Sequence, residues 1–457
     1  MDDAAHLIIP PAHPVRDEPL PRWRVIYEFF NNPLAVYSEQ AFEQTYGRMR
    51  SLGFDTIGVA DPAMIHHVMQ ANQANYRRPA VQPRLLRWVM GNGVFLAEGD
   101  EWRRQRRMLA PTFNPGAVGD LIPHFQTAAE LMLARLHGVS QARLTEVFHR
   151  AALDAVLKAL FSLPGDNGRL GMTGLVRDFL EGAGRPTVWD ALSTSESAFA
   201  WASGKRRRFQ KAWFRIVDDL IAERKAQGGD QSHKRGDLLD LLLAARDPQT
   251  GEGLTDAEVR DQCATMLAAG FETTSRLLFW ASYLLALDPA EQALAAEEIR
   301  AFPPDRVGGM DDLSHWPRLK CVLLEALRLY PPVAYIVRKA IAADNLAGQE
   351  ITAGTEVWIS PFVIHRHRKF WDNPTAFMPQ RFAGIASPWT SLEHYVPFGV
   401  GPRICIGAGF AMTEAQIVLA NLLARYRLVL EDKTPVLPVF RLATVPSHDP
   451  LFRLELV

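Results

Sequence analysis

Cysteine is scarce in this chain. Three in 457 residues leave no material for a disulfide framework and fit a reducing compartment. An excess of one charge is also missing. Fifty Lys and Arg face 51 Asp and Glu, a net charge of −1, so nothing favours nucleic acid as a partner. Long apolar runs are absent as well. Beyond Thr274 the longest uncharged apolar run is Leu277 to Leu287, far short of the roughly 20 residues a membrane span needs. Met1 to Arg24 is rich in proline and charge and has no basic start followed by an apolar block. It reads as neither signal peptide nor membrane anchor. No G-x-G-x-x-G fingerprint and no multi-cysteine cluster occur, so no flavin or iron–sulfur segment is visible. What is left is 48% hydrophobic and 22% charged, the composition of a soluble globular protein with ample core. Length alone suggests about three domains. With no linker, repeat or low-complexity tract, one domain over 1–457 is expected, 1–50 being an N-terminal extension and first helix.

Against these absences one cysteine stands out. Cys405 lies in the frame Phe398-Gly399-Val400-Gly401-Pro402-Arg403-Ile404-Cys405-Ile406-Gly407. Its glycines and proline exclude regular helix or strand before the cysteine. A periodic stretch follows, Phe410 to Tyr426, with Ile417, Leu419, Leu422 and Leu423 at helical spacing. Cys405 is therefore expected on a turn at a helix N-terminus, where free N–H groups and the helix dipole favour a thiolate. A tight turn with N–H groups facing sulfur suits thiolate ligation of a haem iron. Cys263 and Cys321 sit in apolar-periodic segments and read as small buried hydrophobes.

Most of the chain reads as helix, with a small sheet. Leu52 to Val59 reads as a strand, and Asp61-Pro62 as the start of a helix. Gly348 to Ile359 reads as a hairpin turning at Ala353-Gly354, Lys225 to Gly236 as a surface loop, and Phe377 to Pro397 as irregular. Thr255-Asp256-Ala257-Glu258 is a capping box, and helical periodicity runs from it to Leu287, stopped by Asp288-Pro289. Such a helix has about 32 residues and spans roughly 48 Å. Its middle carries Ala269-Gly270-Phe271-Glu272-Thr273-Thr274, a glycine and two threonines that weaken it and an acid among apolar neighbours.

Three further clusters stand out. Glu325 and Arg328 are i, i+3 in an apolar helix ended by Tyr330-Pro331-Pro332. Trp102 and Arg106 are i, i+4, with Arg103 and Arg107 on a neighbouring face. The stretch His365-Arg366-His367-Arg368 reads as structural or surface, not metal-binding.

The Cys405 frame matches F-x-x-G-x-R-x-C-x-G at Phe398, Gly401, Arg403, Cys405 and Gly407. That is the haem signature of the cytochrome P-450 superfamily, which this chain resembles from about Leu52 to its C-terminus, the expected haem-thiolate core being 51–457. The resemblance implies a triangular helical prism, mainly α with small β-sheets, around haem b held by Cys405. Ala269–Thr273 resembles the oxygen-binding motif, implying Thr273 as the hydroxyl that hydrogen-bonds the oxygen and Glu272 as an acid linked to solvent. Glu325 and Arg328 resemble the E-x-x-R helix, with Arg381 of Pro379-Gln380-Arg381-Phe382 completing a buried network. Trp102 and Arg106 resemble W-x-x-x-R, implying propionate contacts with Arg338 and Arg403. The substrate pocket is implied at roughly Pro83–Phe95, a loop, and at Phe179–Trp201, Met266–Thr273 and Val333–Val337, with Leu85, Phe95, Ala269, Val333 and Ile336 as lining residues. The implied enzyme is a soluble, cytoplasmic, bacterial-type monomer that oxidises a hydrophobic small molecule. Ferredoxin or flavodoxin and its reductase would supply electrons, with NAD(P)H acting only through them, and Arg103, Arg104 and Arg107 are the expected docking face. A haem sensor without turnover and a peroxide-driven oxygenase are the alternatives, and the Glu272-Thr273 pair speaks against both.

Overall fold

The computed structural model describes residues 7–18, 20–51, 54–163, 203–227 and 236–457. Its axis is the helix Asp256–Leu287. Both ends follow from sequence. The Thr255 hydroxyl accepts from the Glu258 N–H at 3.3 Å while the Glu258 carboxylate accepts from the Thr255 N–H at 2.8 Å. At the other end Asp288 caps the next helix, Pro289–Ala301, accepting from the Glu291 N–H at 3.0 Å. From Thr274 to Leu285 every residue of the long helix is buried, so this half runs through the core with no solvent face. The helix Leu144–Phe161 lies alongside it. A Cβ at Gly270 would come within 3.0 Å of Val156 Cγ2, so the glycine of the motif lets these helices approach closely. Trp280 stacks on Tyr330 with centroids 3.9 Å apart, fastening the long helix to the end of the helix Pro317–Leu329.

The main sheet has five strands in the spatial order Tyr46–Ser51, Phe54–Val59, Glu356–Ile359, Ile336–Ala340, Tyr76–Arg77. Phe54–Val59 and Glu356–Ile359 pair in parallel and the other neighbours antiparallel. A second sheet joins Gln141–Arg143, Leu451–Leu456 and Tyr426–Leu430. Asp61 caps the helix Pro62–His66 through the Ala63 and Met64 N–H groups, as its sequence predicts. Cys263 and Cys321 are buried.

Three readings change. Gly348–Ile359 is not one hairpin. Gln349–Ile351 pairs instead with Asp344–Leu346, while Glu356–Ile359 enters the main sheet. The two-residue turn is Ala347-Gly348, with φ of 50° and 86°, the left-handed pair that a type I′ hairpin needs. Ala353-Gly354 is a turn, but the Gly354 N–H donates to Ala340 O and so hands the chain to the larger sheet. Pro83–Met90 is helix rather than loop, part of Val81–Met90. Lys225 also lies in a helix, Ser203–Gln227, rather than a loop.

Candidate functional site

The loop at Cys405 is shaped by its glycines. Gly399 and Gly401 have φ of 74° and 72°, and a Cβ at Gly401 would lie 2.4 Å from Met69 O. No side chain fits there. The Cys405 N–H donates to Phe398 O at 2.9 Å, closing the turn, and the helix Ala408–Leu423 starts three residues on. Phe398 packs edge-to-face on Trp389. The Cys405 side chain has open surface although protein atoms crowd around it, so the sulfur lies on an accessible wall of the fold. Burial pushes its thiol up, while the Gly407 N–H and the Arg106 charge pull the other way. Both latter groups favour a thiolate ligand.

Cations gather near this wall. Trp102 and Arg106 lie on the helix Gly99–Leu109, with Trp102 buried and the Arg403 guanidinium 4.2 Å from its ring centroid. Arg338, on the strand Ile336–Ala340, is buried, and among the described residues its guanidinium bonds only its neighbour's carbonyl, Val337 O. Burial, with Arg78 and Arg403 nearby, lowers its pKa to about 9. Arg403 falls to about 10 by burial and by Arg78. Glu98 answers both Arg78 and Arg403. Among the described residues no carboxylate pairs with Arg106 or Arg338. Desolvated cations short of counter-charge fit a dianion, and guanidinium forks suit carboxylates. A thiol beside such cations matches haem with its two propionates. Trp102, Arg106, Arg338 and Arg403 would hold it, with Cys405 on the iron.

On the long helix the Thr273 hydroxyl donates to Ala269 O at 2.7 Å, the i−4 back-bond its sequence suggests. Glu272 is mostly screened from solvent, its side chain keeping a small open fraction, and it is held by two neighbours. Arg276, one turn on, donates twice to Oε1 at 2.9 and 3.0 Å, and His149 Nε2 of the helix Leu144–Phe161 lies 2.9 Å from Oε2. Burial raises the Glu272 pKa, but His149 and Arg276 outweigh it and hold the carboxyl down at about 2. Arg276 was missed, although its i+4 spacing from Glu272 was the signal that could have found it. His149 was missed too, since nothing in sequence marks a residue on another helix. Glu414 was also missed. It is fully buried beneath Thr274, and burial pushes its carboxyl well above the usual range.

Glu325 and Arg328 form the buried network expected of them. Both are fully buried, with two bonds of 2.7 Å between them. Arg328 also donates to His365 O, Pro374 O and Ala376 O. Arg381 Nε reaches Glu325 Oε1 at 3.2 Å, and the Met378 N–H donates to the same oxygen at 2.9 Å. The imidazole of His365 accepts from the Val396 N–H at 2.8 Å, so it is structural. This network pins the chain that leads into the Cys405 loop.

The lining residues are less uniform. Phe95 and Val333 keep 38% and 40% of their surface open. Ile336 is half-buried with Cδ1 3.6 Å from the Cβ position of Gly399, and Ala269 sits one turn before Thr273. Leu85 is core-packed on the helix Val81–Met90 and presents least to a cavity. Phe179–Trp201 lies outside the described residues. The expected basic face is largely answered by acids. Arg103 pairs with Asp100, Arg104 with Glu258 and Arg107 with the buried Asp247. Among the described residues no helix is long and apolar enough to cross a membrane.

The comparisons with known proteins agree with this geometry. The family profile described as Cytochrome P450 matches residues 21–455. Cytochrome P450 4F3 of Rattus norvegicus is 32% identical over 83% of this chain and 76% of its own. Cyclooctat-9-en-7-ol 5-monooxygenase of Streptomyces melanosporofaciens is 29% identical over 75% of this chain and 74% of its own. The crystal structure of the cytochrome P450DA heme domain superposes with a TM-score of 0.81 at 26% identity, covering 99% of this chain and 98% of that one. The chain therefore belongs to the cytochrome P450 family and is a haem b monooxygenase.

Proposed function

We propose that this enzyme inserts one atom of dioxygen into an apolar organic molecule and reduces the other to water, with electrons from a separate ferredoxin or flavodoxin and its reductase. NAD(P)H serves only through that reductase. What supports the substrate class is apolar surface left open at Phe95 and Val333 and in part at Ile336 and Ala269, the residues we assign to the pocket. The relative named for the 5-monooxygenation of cyclooctat-9-en-7-ol supports a carbon-rich substrate of that kind. When bound, the haem supplies oxygen activation, its thiolate ligand favouring O–O cleavage.

The chain's own residues do the remaining work. Arg106, Arg338 and Arg403 bind and orient the propionates, and Trp102 supports Arg403. Thr273 offers a hydroxyl already ordered by its bond to Ala269 O. Glu272 handles protons behind it, in a pocket where apolar side chains exclude water. Of the basic face, Arg103 is the most exposed and serves as a docking contact, whereas Arg104 and Arg107 are committed to other elements. A cytoplasmic monomer completes the proposal, supported by three free thiols.

Purified protein screened for haem spectral shifts with fatty acids, terpenoids, steroids and small aromatics, and then tested with NAD(P)H, ferredoxin and reductase, should yield a product carrying one added oxygen. Turnover by peroxide alone, with none from dioxygen and electron donors, refutes the proposal.

A further inference from the structure

Glu272 has no proton to give at neutral pH. Arg276 and the neighbouring His149 hold it as a carboxylate, and Arg276 cannot itself release a proton. The other neighbour is different. His149 Nε2 lies 2.9 Å from Glu272 Oε2, while the His149 side chain keeps 23% of its surface open against 12% for Glu272. The imidazole thus has more open surface than the acid and reaches it from a separate helix. Phe271 meets its ring edge-on, with centroids 6.0 Å apart, which fixes the ring plane. Imidazole is the side chain whose charge ordinarily changes between about pH 5 and 8.

We propose that His149 is the proton entry to Glu272, a positioning residue that acts through the acid and touches neither haem nor substrate. This rests on the role of Glu272 proposed above. The step balances. Cationic His149 passes its Nε2 proton to Glu272 Oε2, which leaves a neutral imidazole and a neutral carboxyl. Glu272 then delivers that proton toward the Thr273 side of the helix, and the imidazole regains one from water. Arg276 stays charged throughout and keeps the carboxyl in place.

The charged groups around this pair are few. Arg276 comes from the long helix, with Asp449 and Arg143 beside it from the C-terminal turn and the small sheet. Glu146 and Arg150 lie on the His149 helix itself, and the Arg135–Asp154 pair links that helix to the helix Ile122–Leu136. The Arg224–Asp237–Asp240 cluster packs at the far end of the His149 helix, with Arg224 bonded to Phe161 O. Of these groups only the imidazole both contacts Glu272 and belongs to a side-chain type that can take up and release a proton in this way.

The test uses holoenzyme with NADPH, a [2Fe–2S] ferredoxin and its reductase, without organic substrate. The readout is the partition of consumed oxygen between peroxide (two electrons) and water (four electrons), followed from pH 5.5 to 8.5. In the wild type the water fraction should fall as pH rises, because neutral His149 has no proton to pass. In His149→Asn it should be low and flat with pH, the ratio of water to peroxide dropping about 10-fold, short of the 10²–10⁴ expected of a direct acid because water substitutes in part. A second readout is independent of turnover. In ¹³C-histidine NMR, the Cε1 resonance that disappears in His149→Asn should have its midpoint shifted down in Glu272→Gln. An unchanged pH profile in His149→Asn, or a His149 midpoint indifferent to Glu272→Gln, overturns the proposal. Glu272→Gln separates the two readings. If it leaves the partition at the wild-type value, the role of Glu272 itself fails. If it is defective while His149→Asn is not, only the His149 entry fails.

Discussion

Glu325→Ala should leave little folded holoprotein. The carboxylate is fully buried and answers two cations, Arg328 and Arg381, as well as the Met378 N–H. Its removal strands the fully buried Arg328 charge, which costs about 3–5 kcal/mol. That is about a fifth or more of a typical net stability of about 5–15 kcal/mol. At about 2 °C per kcal/mol for a large domain, Tm should fall by roughly 6–10 °C. Glu325→Gln keeps an acceptor for Met378 and for one guanidinium N–H, so it should cost less, on the order of 2 kcal/mol. The informative control is Glu325→Leu combined with Arg328→Leu. Replacing an isolated buried pair by apolar residues is often neutral. Here three carbonyls, His365 O, Pro374 O and Ala376 O, lose their donor as well. Each orphaned acceptor costs about 1–3 kcal/mol, so the double variant should stay destabilised. Thermal unfolding followed by circular dichroism, together with the thiolate Soret band of the ferrous carbon-monoxide complex, reads both stability and haem content. A Tm within about 1 °C of wild type with full haem incorporation would show that this network holds nothing together.

Other outcomes follow from the same geometry. Cys405→His should abolish the thiolate Soret band, whereas Cys263→Ala and Cys321→Ala should keep it; a band that survives Cys405→His refutes the ligand assignment. Thr273→Ala should bind haem and substrate yet divert NAD(P)H into peroxide, and unchanged product per NAD(P)H consumed removes Thr273 from proton delivery. Gly401→Ala should disrupt the cysteine loop, since the added methyl would sit 2.4 Å from Met69 O on a backbone with positive φ; full haem content in that variant contradicts the geometry. Glu272 is depressed in the fold, so its stabilisation is present above the ordinary carboxyl value of about 4.5 and is lost as pH falls toward about 2. At 1.36 kcal/mol per unit that is on the order of 3 kcal/mol, and acid unfolding of Glu272→Gln should lack this part of the pH dependence.

Local chemistry made the ends of this protein's elements readable in advance. The Thr255 capping box and the Asp288-Pro289 stop bound the long helix because each satisfies or removes backbone groups within a few residues. The glycines of the Cys405 loop were legible for the same reason, since positive φ and close backbone approach leave one residue type. Resemblance supplied the expected roles of Thr273, Arg328 and Trp102; helical spacing already paired Arg328 with Glu325, and the fold brought Arg381 to Glu325 and Arg403 to Trp102. What sequence did not yield is pairing at a distance. Gln349–Ile351 and Glu356–Ile359 look like one hairpin, yet separate sheets claim them, because strand partners are chosen by available edges and burial. Arg103, Arg104 and Arg107 were expected as one basic face, and the sequence did not show that Asp100, Glu258 and Asp247 meet them. Glu272 was legible as an acid, while Arg276, its partner one turn on, was missed despite its helical spacing. Only tertiary packing set His149 against it, because that contact joins two helices through a close approach that Gly270 permits.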